Sequence, residues 1–438
     1  QSPNNRIPLV AGKRTVARVF SKLVSGESEP VRGVPMLLRG FRNGVELPDS
    51  PRQLTNPLAE TWRTPKRDSV SHNFAIPDAW ITEGATEFRA EINHNRTVEE
   101  PDYENNKAAV TVTFTQKPGV SLRYLPICLG PADSPTACPS EKVGSYGYMV
   151  LRLFPVADAK FSYEPLPVPS QVYSRSLSTR NRQDAFLRWV WRLDQSAQQD
   201  GQVYDNLVAW IPEGFATGLA GLGYLKQNGV NGRASFNVEF LGRDHFNALV
   251  AAHEVGHNYG LSHTAQADSC NSAGATDWPY TLSLIREIGY SPFSGNIYSP
   301  DTFQDIMSYC TAQWIAPFHY LKLYNDGVVL PGTTAKQPGA RAATPADYWL
   351  LTGSVSKSSS AAVIDPILTV RSALDPVPAQ PTGDFCLVAE AASATTSTHC
   401  FTPSFIDIAT GLPSNEDSFT LRIPVAPGVT RLSLRKAG

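Results

Sequence analysis

The segment HEVGHNYGLSH, residues 253–263, decides how this chain is interpreted. The residues before it contain no proline and place apolar side chains at helical spacing, so we predict a helix over 244–260 with Asp244 as its N-cap. On that helix His253 and His257 are four residues apart and project from one face. Two neutral imidazoles on one face can bind a single Zn²⁺ ion. The segment therefore predicts a metal site on a helix.

The rest of the segment turns this metal site into a candidate catalytic site. Glu254 follows the first histidine and can take the proton of a metal-activated water. Gly260 permits the positive φ of a sharp turn, which would bring His263 to the same ion as a third ligand. Three protein ligands leave one coordination position for water, as catalytic zinc sites do. Zn²⁺ is thus the predicted cofactor.

The segment has two other interpretations. One is an amphipathic helix with three satisfied surface histidines, although the five fixed residues would coincide by chance in roughly one in 10⁵ chains of this composition. The other is an adhesion or scaffold protein that keeps a structural metal site. Glu254 argues against the second, because a structural site has no need of a base.

Over this segment the chain resembles the metzincin metalloendopeptidases, and Met307-Ser308-Tyr309-Cys310 is similar to secreted bacterial proteins of the reprolysin-like group. The resemblance implies that Met307 forms the methionine turn beneath the zinc. It also implies that Tyr309 ligates zinc or donates a hydrogen bond to the tetrahedral intermediate. A core methionine and a buried aromatic are the plain alternatives. Thr264 is closer to the matrixins, so the resemblance identifies the clan and leaves the branch open.

The resemblance also bears on substrate and on the elements near the site. In metzincins an edge strand before the active-site helix holds the peptide, which here implies residues 234–240 or 218–223. The run 253–261 is similar to that of mucin-cleaving metalloproteases, so a glycoprotein-directed or mucin-directed protease is an alternative to general proteolysis. His319, in a helix predicted to start near Pro317, is expected to be a surface or packing histidine.

Composition and cysteine count limit the remaining possibilities. The chain has 438 residues and a net charge of −2, which gives no basic footprint for nucleic acid. No apolar run approaches the ~20 residues of a membrane span. Six cysteines in three local clusters allow 15 pairings, or free cytosolic thiols. The simplest pairing is Cys128–Cys138, Cys270–Cys310 and Cys386–Cys400, and it predicts a secreted or extracellular protein.

The chain is predicted to be multidomain, with a central α+β metzincin-like catalytic domain between two immunoglobulin-like β-sandwich domains. Residues 1–116 contain alternating apolar and polar runs that fit about seven short strands, and residues 343–438 return to strands. The catalytic domain is 117–331, and 332–342 is a linker. The acidic cluster at 99–106 could bind Ca²⁺, or form a solvated turn. We expect a monomeric zinc endopeptidase acting on protein or glycoprotein substrates.

Overall fold

The computed structural model describes residues 5–23, 31–56, 60–61, 71–131, 135–168, 171–199, 201–226, 232–264, 277–325, 346–358, 362–364, 367–372, 382–391, 394–403, 405 and 413–436. The predicted linker 332–342 lies outside these residues. Within them no helix is long and apolar enough to cross a membrane. The described residues fall into an N-terminal, a central and a C-terminal region, each with hydrophobic cores of its own.

The N-terminal region consists of short strands. They are β1 (Leu9–Val10), β2 (Val16–Val19), β3 (Val31–Arg32), β4 (Met36–Arg42), β5 (Val45–Glu46), β6 (Arg52–Leu54), β7 (Glu60–Thr61), β8 (His72–Ala75), β9 (Gly84–Ile92) and β10 (Lys107–Thr115). The main sheet has the order β1-β10-β9-β4-β5, with β6 beside β4, while β2 pairs with β8 and β3 with β7. Trp80, Phe88 and Phe114 are buried in its core. The two alternating runs predicted as strands are β9 and β10, which pair antiparallel.

The central region contains the helices and a mixed sheet. Its elements are β11 (Val120–Leu129), α1 (Tyr148–Leu153), β12 (Phe161–Pro165), β13 (Gln171–Tyr173), α2 (Arg180–Gln199), β14 (Asn206–Pro212), β15 (Gly221–Gly223), β16 (Ala234–Glu239), α3 (Asp244–Asn258), β17 (Gly289–Tyr290), β18 (Ile297–Tyr298), β19 (Gln304–Asp305), β20 (Gln313–Trp314) and α4 (Pro317–Asn325). The sheet has the order β12-β11-β14-β16-β15, and β13 also pairs with β11. These pairings are parallel except for β15, which runs antiparallel to β16.

Strand β14 shows how the sheet is covered on both faces. All seven of its residues are buried, as expected for a parallel strand between two helical layers. Leu207, Ala209 and Ile211 share a core with α2. Val208 and Trp210 point to the other face and share a core with α1 and α3. The continuous apolar run that predicted this strand is therefore divided between two helical layers.

The strand preceding α3 does not lie where one prediction placed it. Residues 234–240 were one of two candidates for the substrate-holding edge, but β16 is fully buried between β14 and β15. The edge position belongs to β15, in the other candidate segment. Apolar and polar side chains alternate along β16, and the side chains on both of its faces are buried. The predicted N-cap also shifts by one residue, because Asp244 is the first residue of α3 and Arg243 occupies the cap position.

The C-terminal region has two sheets packed on each other. Its strands are β21 (Ala346–Ser356), β22 (Ala362–Ile364), β23 (Leu368–Ser372), β24 (Phe385–Ala391), β25 (Ala394–Phe401), β26 (Glu416–Pro424) and β27 (Val429–Lys436). One sheet has the order β22-β21-β23 with β26 beside β21, and the other is β25-β24-β27. Leu351 and Ile423 of the first sheet share a core with Leu387 of the second. The region rests on α2, where Arg188 forms an ion pair with Asp417 of β26.

The predicted disulfides fit the structure where their cysteines are described. Cys128 is bonded to Cys138, and Cys386 is bonded to Cys400. Cys310 is also disulfide-bonded. Its predicted partner, Cys270, lies outside the described residues. No free cysteine occurs in the described part of the chain.

Candidate active site

Helix α3 ends in a turn that returns the chain toward its own histidines. Gly260 has φ +94°, a left-handed conformation that glycine adopts without strain. The Gly260 N–H donates to the His257 carbonyl at 2.9 Å, and the Leu261 N–H donates to the Gly256 carbonyl at 2.9 Å. This pair of bonds is a Schellman motif with glycine at C′. The predicted role of Gly260 is thus observed in the backbone.

The turn brings three histidines together. His253, His257 and His263 are buried, and one nitrogen from each lies within 4.8 Å of the other two. The Nε2 atoms of His257 and His263 are 3.0 Å apart. His253 donates its Nδ1–H to the Ile306 carbonyl, and His257 donates its Nδ1–H to the Leu261 carbonyl, each at 2.8 Å. These bonds fix the tautomer in both rings and leave each neutral Nε2 as a lone-pair donor toward the centre of the cluster.

The cluster fits a zinc ion. Tetrahedral zinc with imidazole ligands holds its nitrogens about 3.3 Å apart, and the Nε2 atoms of His257 and His263 are 3.0 Å apart. The His253 Nε2 is buried and has no hydrogen-bond partner among the described residues. Burial lowers the pKa of His253 to about 4 and that of His263 to about 3, and it lowers the pKa of His257 well below its ordinary value. Neutral imidazoles at ordinary pH are the form that binds metals.

Glu254 lies against two glycines of the edge strand β15. A Cβ atom on Gly221 would stand 2.7 Å from the Glu254 Cγ, and one on Gly223 would stand 2.7 Å from the Glu254 carbonyl oxygen. Burial raises the pKa of Glu254 to about 8, while the charge of Arg180 and a hydrogen bond from the Gly223 backbone act in the opposite direction. The carboxyl group therefore occupies a nearly water-free position beside the histidines. Neither glycine was identified from the sequence, apart from its place in a candidate edge segment.

Met307 and Tyr309 both lie near the histidines, but Met307 is buried and Tyr309 is exposed. Met307 is fully buried, and a Cβ atom on Gly256 would stand 2.9 Å from its Sδ. Its carbonyl accepts a hydrogen bond from the Thr264 N–H at 3.3 Å. Tyr309 is 53% exposed, which excludes the alternative of a buried aromatic. Its hydroxyl lies 3.0 Å from the His263 Nε2, at the surface of the cleft.

A buried pair that the sequence did not reveal supports this turn. Asp305 and His319 are both fully buried, and the His319 Nδ1 lies 2.6 Å from the Asp305 Oδ1. The same carboxylate accepts hydrogen bonds from the Met307 N–H and the Ala316 N–H, each at 2.8 Å. His319 is therefore a packing histidine and not a surface one. An acidic residue two positions before the methionine, followed by a histidine in the next helix, was the available signal.

These groups line one cleft of about 520 Å³. Glu254 and the three histidines form its centre, and Tyr309 with the neighbouring residues 310–313 forms one side. The lining also includes apolar residues of β15, of the loop before it and of the first turns of α3, together with His245. Arg180, the first residue of α2, also lines the cleft. The cleft thus combines a metal-binding cluster, a buried carboxyl group and an open strand edge.

The acidic cluster near residues 99–106 gives no support for calcium. Glu100 accepts a hydrogen bond from the Asn106 side-chain amide at 2.9 Å, and Glu104 pairs with Lys107. The Asp102 carboxylate accepts a bond from the Glu104 N–H at 2.9 Å. Among the described residues, the three histidines are the one group of His, Cys, Asp or Glu side chains close enough to hold a metal ion. The alternative of a solvated turn fits these bonds better.

Comparison with known families agrees with the chemistry of the cleft. Residues 156–319 match the Reprolysin_5 model, described as metallo-peptidase family M12. The match includes every residue of the histidine cluster, Glu254 and the turn at Met307. It supports a metzincin-type metalloprotease and does not specify the branch. Metallopeptidases of this family use a zinc ion, in agreement with the three-histidine group.

Comparison with individual proteins adds little. No curated protein matches the chain significantly. One solved structure, described as "Structure of a chaperone-substrate complex", aligns at 12% identity with a TM-score of 0.25. The alignment covers 59% of this chain and 39% of that chain. A TM-score this low supports no conclusion on fold or function.

Proposed function

We propose that this metzincin-type metalloprotease is a secreted zinc endopeptidase in which His253, His257 and His263 bind the metal and Glu254 is the general base. One observation carries the proposal. Two histidines have their Nδ1 atoms hydrogen-bonded to backbone carbonyls so that Nε2 faces a third histidine, and the carboxyl group beside them lines the same cleft. A structural metal site needs the histidines, but it does not need that carboxyl group.

The residues of the cleft divide the chemistry among them. A zinc ion in such a site supplies Lewis-acid chemistry, which makes water a nucleophile near neutral pH and polarises a carbonyl group. Glu254 would accept the proton of the attacking water and return it to the leaving amine. Its carboxyl group is buried beside the histidines and lines the same cleft. Tyr309 would donate a hydrogen bond to the developing oxyanion from the open side.

The free edge of β15 supports endopeptidase activity, and the disulfide bonds support secretion. Strand β15 pairs with β16 on one side, so its other edge can add an extended peptide to the sheet. An edge of this kind suits cleavage within a chain, which is why we infer an endopeptidase. Disulfides at Cys128–Cys138 and Cys386–Cys400 favour an oxidising compartment, in agreement with secretion. The two-sheet C-terminal region supports an immunoglobulin-like module at that end of the chain.

Metal analysis combined with activity tests this proposal. Wild-type protein should contain one zinc per chain and cleave casein, and a chelator should stop cleavage until zinc is restored. The Glu254→Gln variant should keep its zinc and lose activity by about 10²- to 10⁴-fold, as expected for loss of a general base. Equal casein cleavage by this variant and wild type would overturn the role of Glu254. Protein that binds no zinc would overturn the metal site itself.

A further inference from the structure

Arg180 is the one arginine or lysine among the described residues that line the cleft. It shares this cavity with Glu254 and the three histidines, and the nearby wall is apolar, built in part from Leu219, Leu222 and Leu249. A fixed positive charge in a partly dry cavity attracts an anion more strongly than the same charge on an open surface. The position of Arg180 therefore bears on which substrates the cleft accepts.

The Arg180 guanidinium group forms an ion pair with Asp184, four residues along α2. Its Nε lies 3.2 Å from the Asp184 Oδ1, and the Asp184 side chain is only 10% exposed. Gln183, in the same first turns of α2, donates hydrogen bonds to the Leu177 and Thr217 carbonyls, each at 2.9 Å. These bonds fasten the start of α2 to the loop that precedes β15. These bonds fix the backbone from which the Arg180 side chain, 37% exposed, extends to line the cleft.

Helix stability does not explain an arginine at this position. Arg180 is the first residue of α2, where the partial positive charge of the helix dipole disfavours a cation. Pairing with Asp184 compensates poorly, because an ion pair four residues apart is weaker with the cation on the N-terminal side. An acidic or small polar residue would stabilise this helix end better. The cation does face the cleft, where its charge lowers the pKa of Glu254 against the larger rise caused by burial.

We infer that Arg180 binds a carboxylate group of the substrate, so the cleft prefers polypeptides that carry an acidic group close to the scissile bond. The inference rests on the proposed peptidase function and narrows its substrate class. The planar guanidinium group can form paired hydrogen bonds with a carboxylate, which lysine cannot reproduce. An aspartate or glutamate side chain, or the sialic acid of an attached glycan, would supply the same chemical group.

Matched substrates test the inference directly. Fluorogenic peptides would be compared in pairs that differ by Glu or Gln at each of the four positions on either side of the cleaved bond. A further pair would carry one O-linked glycan with or without its sialic acid. In at least one pair, wild-type kcat/KM should favour the acidic member by about 10- to 100-fold, as expected for a charge-assisted hydrogen bond. The pair that responds identifies the source of the carboxylate.

Substitutions then assign the preference to one side chain. Arg180→Gln should bring the ratio of kcat/KM for the acidic and the neutral member to about 1, while Arg180→Lys should keep part of the preference. Arg182→Gln is the matched control, because Arg182 is exposed, lies in the same helical turn and does not line the cleft. This control should leave the preference unchanged. Equal losses on both members of a pair, or wild type without any preference, would overturn the inference.

Binding measurements separate this inference from the proposed function. In zinc-loaded Glu254→Gln protein, anisotropy of labelled peptides should show tighter binding of the acidic member, and adding Arg180→Gln should remove the difference. If the acidic preference in binding is present and depends on Arg180 but wild type cleaves no peptide, the peptidase proposal fails and the inference stands. If wild type cleaves both members equally and binding shows no preference, the inference alone fails.

Discussion

Helix α3 is held between two supports that are built in opposite ways. The wall, residues 221–223 of strand β15, contacts Glu254 through glycines that leave no room for a side chain. The floor, residues 305–309, contacts the helix at Gly256 and His253 and is held by the buried pair of Asp305 and His319. The wall positions Glu254 because its glycine backbone lies close against that residue. The floor is itself fixed by hydrogen bonds to the buried Asp305 carboxylate.

This difference separates two kinds of function. The wall contacts Glu254, the proposed general base, while the carbonyls that accept hydrogen bonds from His253 and His257 belong to Ile306 and Leu261. Changes in the wall should therefore alter proton transfer and spare metal binding. The floor supplies the carbonyl of Ile306 to His253, so changes there should alter metal binding and folding together.

Asp305→Ala should do most damage, because it removes the acceptor for the Met307 N–H, the Ala316 N–H and the His319 Nδ1 in a fully buried place. We expect the free energy of unfolding to fall by about 3–5 kcal/mol, measured by denaturant titration. Zinc affinity should fall about 10- to 100-fold, because Ile306 follows this residue directly. Asp301→Ala, at an exposed position of the preceding loop, is the control. Unfolding of Asp305→Ala at the wild-type midpoint would contradict the role given to the floor.

Gly221→Ala should break the wall without touching the floor. The added Cβ would stand 2.7 Å from the Glu254 Cγ and 2.8 Å from its Oε1, so the carboxyl group must move. We expect kcat/KM to fall about 100-fold, equivalent to about 2.7 kcal/mol, with zinc per chain unchanged. The double variant with Glu254→Gln should be no slower than Glu254→Gln alone. A fully additive loss in this cycle would show that Gly221 acts on something other than Glu254.

Tyr309→Phe removes the floor hydroxyl that lies 3.0 Å from the His263 Nε2. Because the side chain is 53% exposed, water already competes for its hydrogen bond, and we expect only about a tenfold loss of kcat, close to 1.4 kcal/mol. Zinc content and the unfolding midpoint should not change. Loss of zinc from this variant would instead make Tyr309 part of the metal-binding set, which is the other role the resemblance implies.

Gly256→Ala should have the smallest effect, because two contributions oppose each other. The new methyl group would stand 2.9 Å from the Met307 Sδ, and crowding a packed core costs about 1–3 kcal/mol. Alanine in place of glycine stabilises a helix interior by up to about 1 kcal/mol, and methionine adapts its shape. A net destabilisation of about 1 kcal/mol is expected in thermal unfolding. A stabilised variant would show that Met307 moves to accommodate the new methyl group, whereas the glycine wall beside Glu254 cannot accommodate one.

The parts of the site that could be predicted from sequence are those with local causes. His253, His257 and Gly260 follow from helical spacing and from the backbone freedom of glycine, and the structure places each as expected. Strand β14 and helix α4 were likewise signalled by an uninterrupted apolar run and by Pro317 at a helix start. The metal and catalytic roles of these side chains remain predictions until they are measured.

The parts that could not be predicted depend on contacts between distant segments. Asp305 and His319 are fourteen residues apart in different elements, and the sequence around either residue does not predict that they pair. Strand β15 consists of Gly221, Leu222 and Gly223, a composition with little strand propensity, so only its pairing with β16 reveals an edge strand. The resemblance offered residues 234–240 as one of two candidates for the edge, but β16 lies buried between β14 and β15.

Helix α2 belongs to two packing units at once. Phe186 and Val190 are buried with the central sheet, while Arg188 between them is paired with Asp417 of the C-terminal region. An element shared in this way couples the opening of one unit to the other, because releasing Asp417 would leave a largely buried arginine without this partner. The C-terminal region and the catalytic sheet should therefore unfold as one cooperative unit, and amide hydrogens of α2 should exchange only when both open.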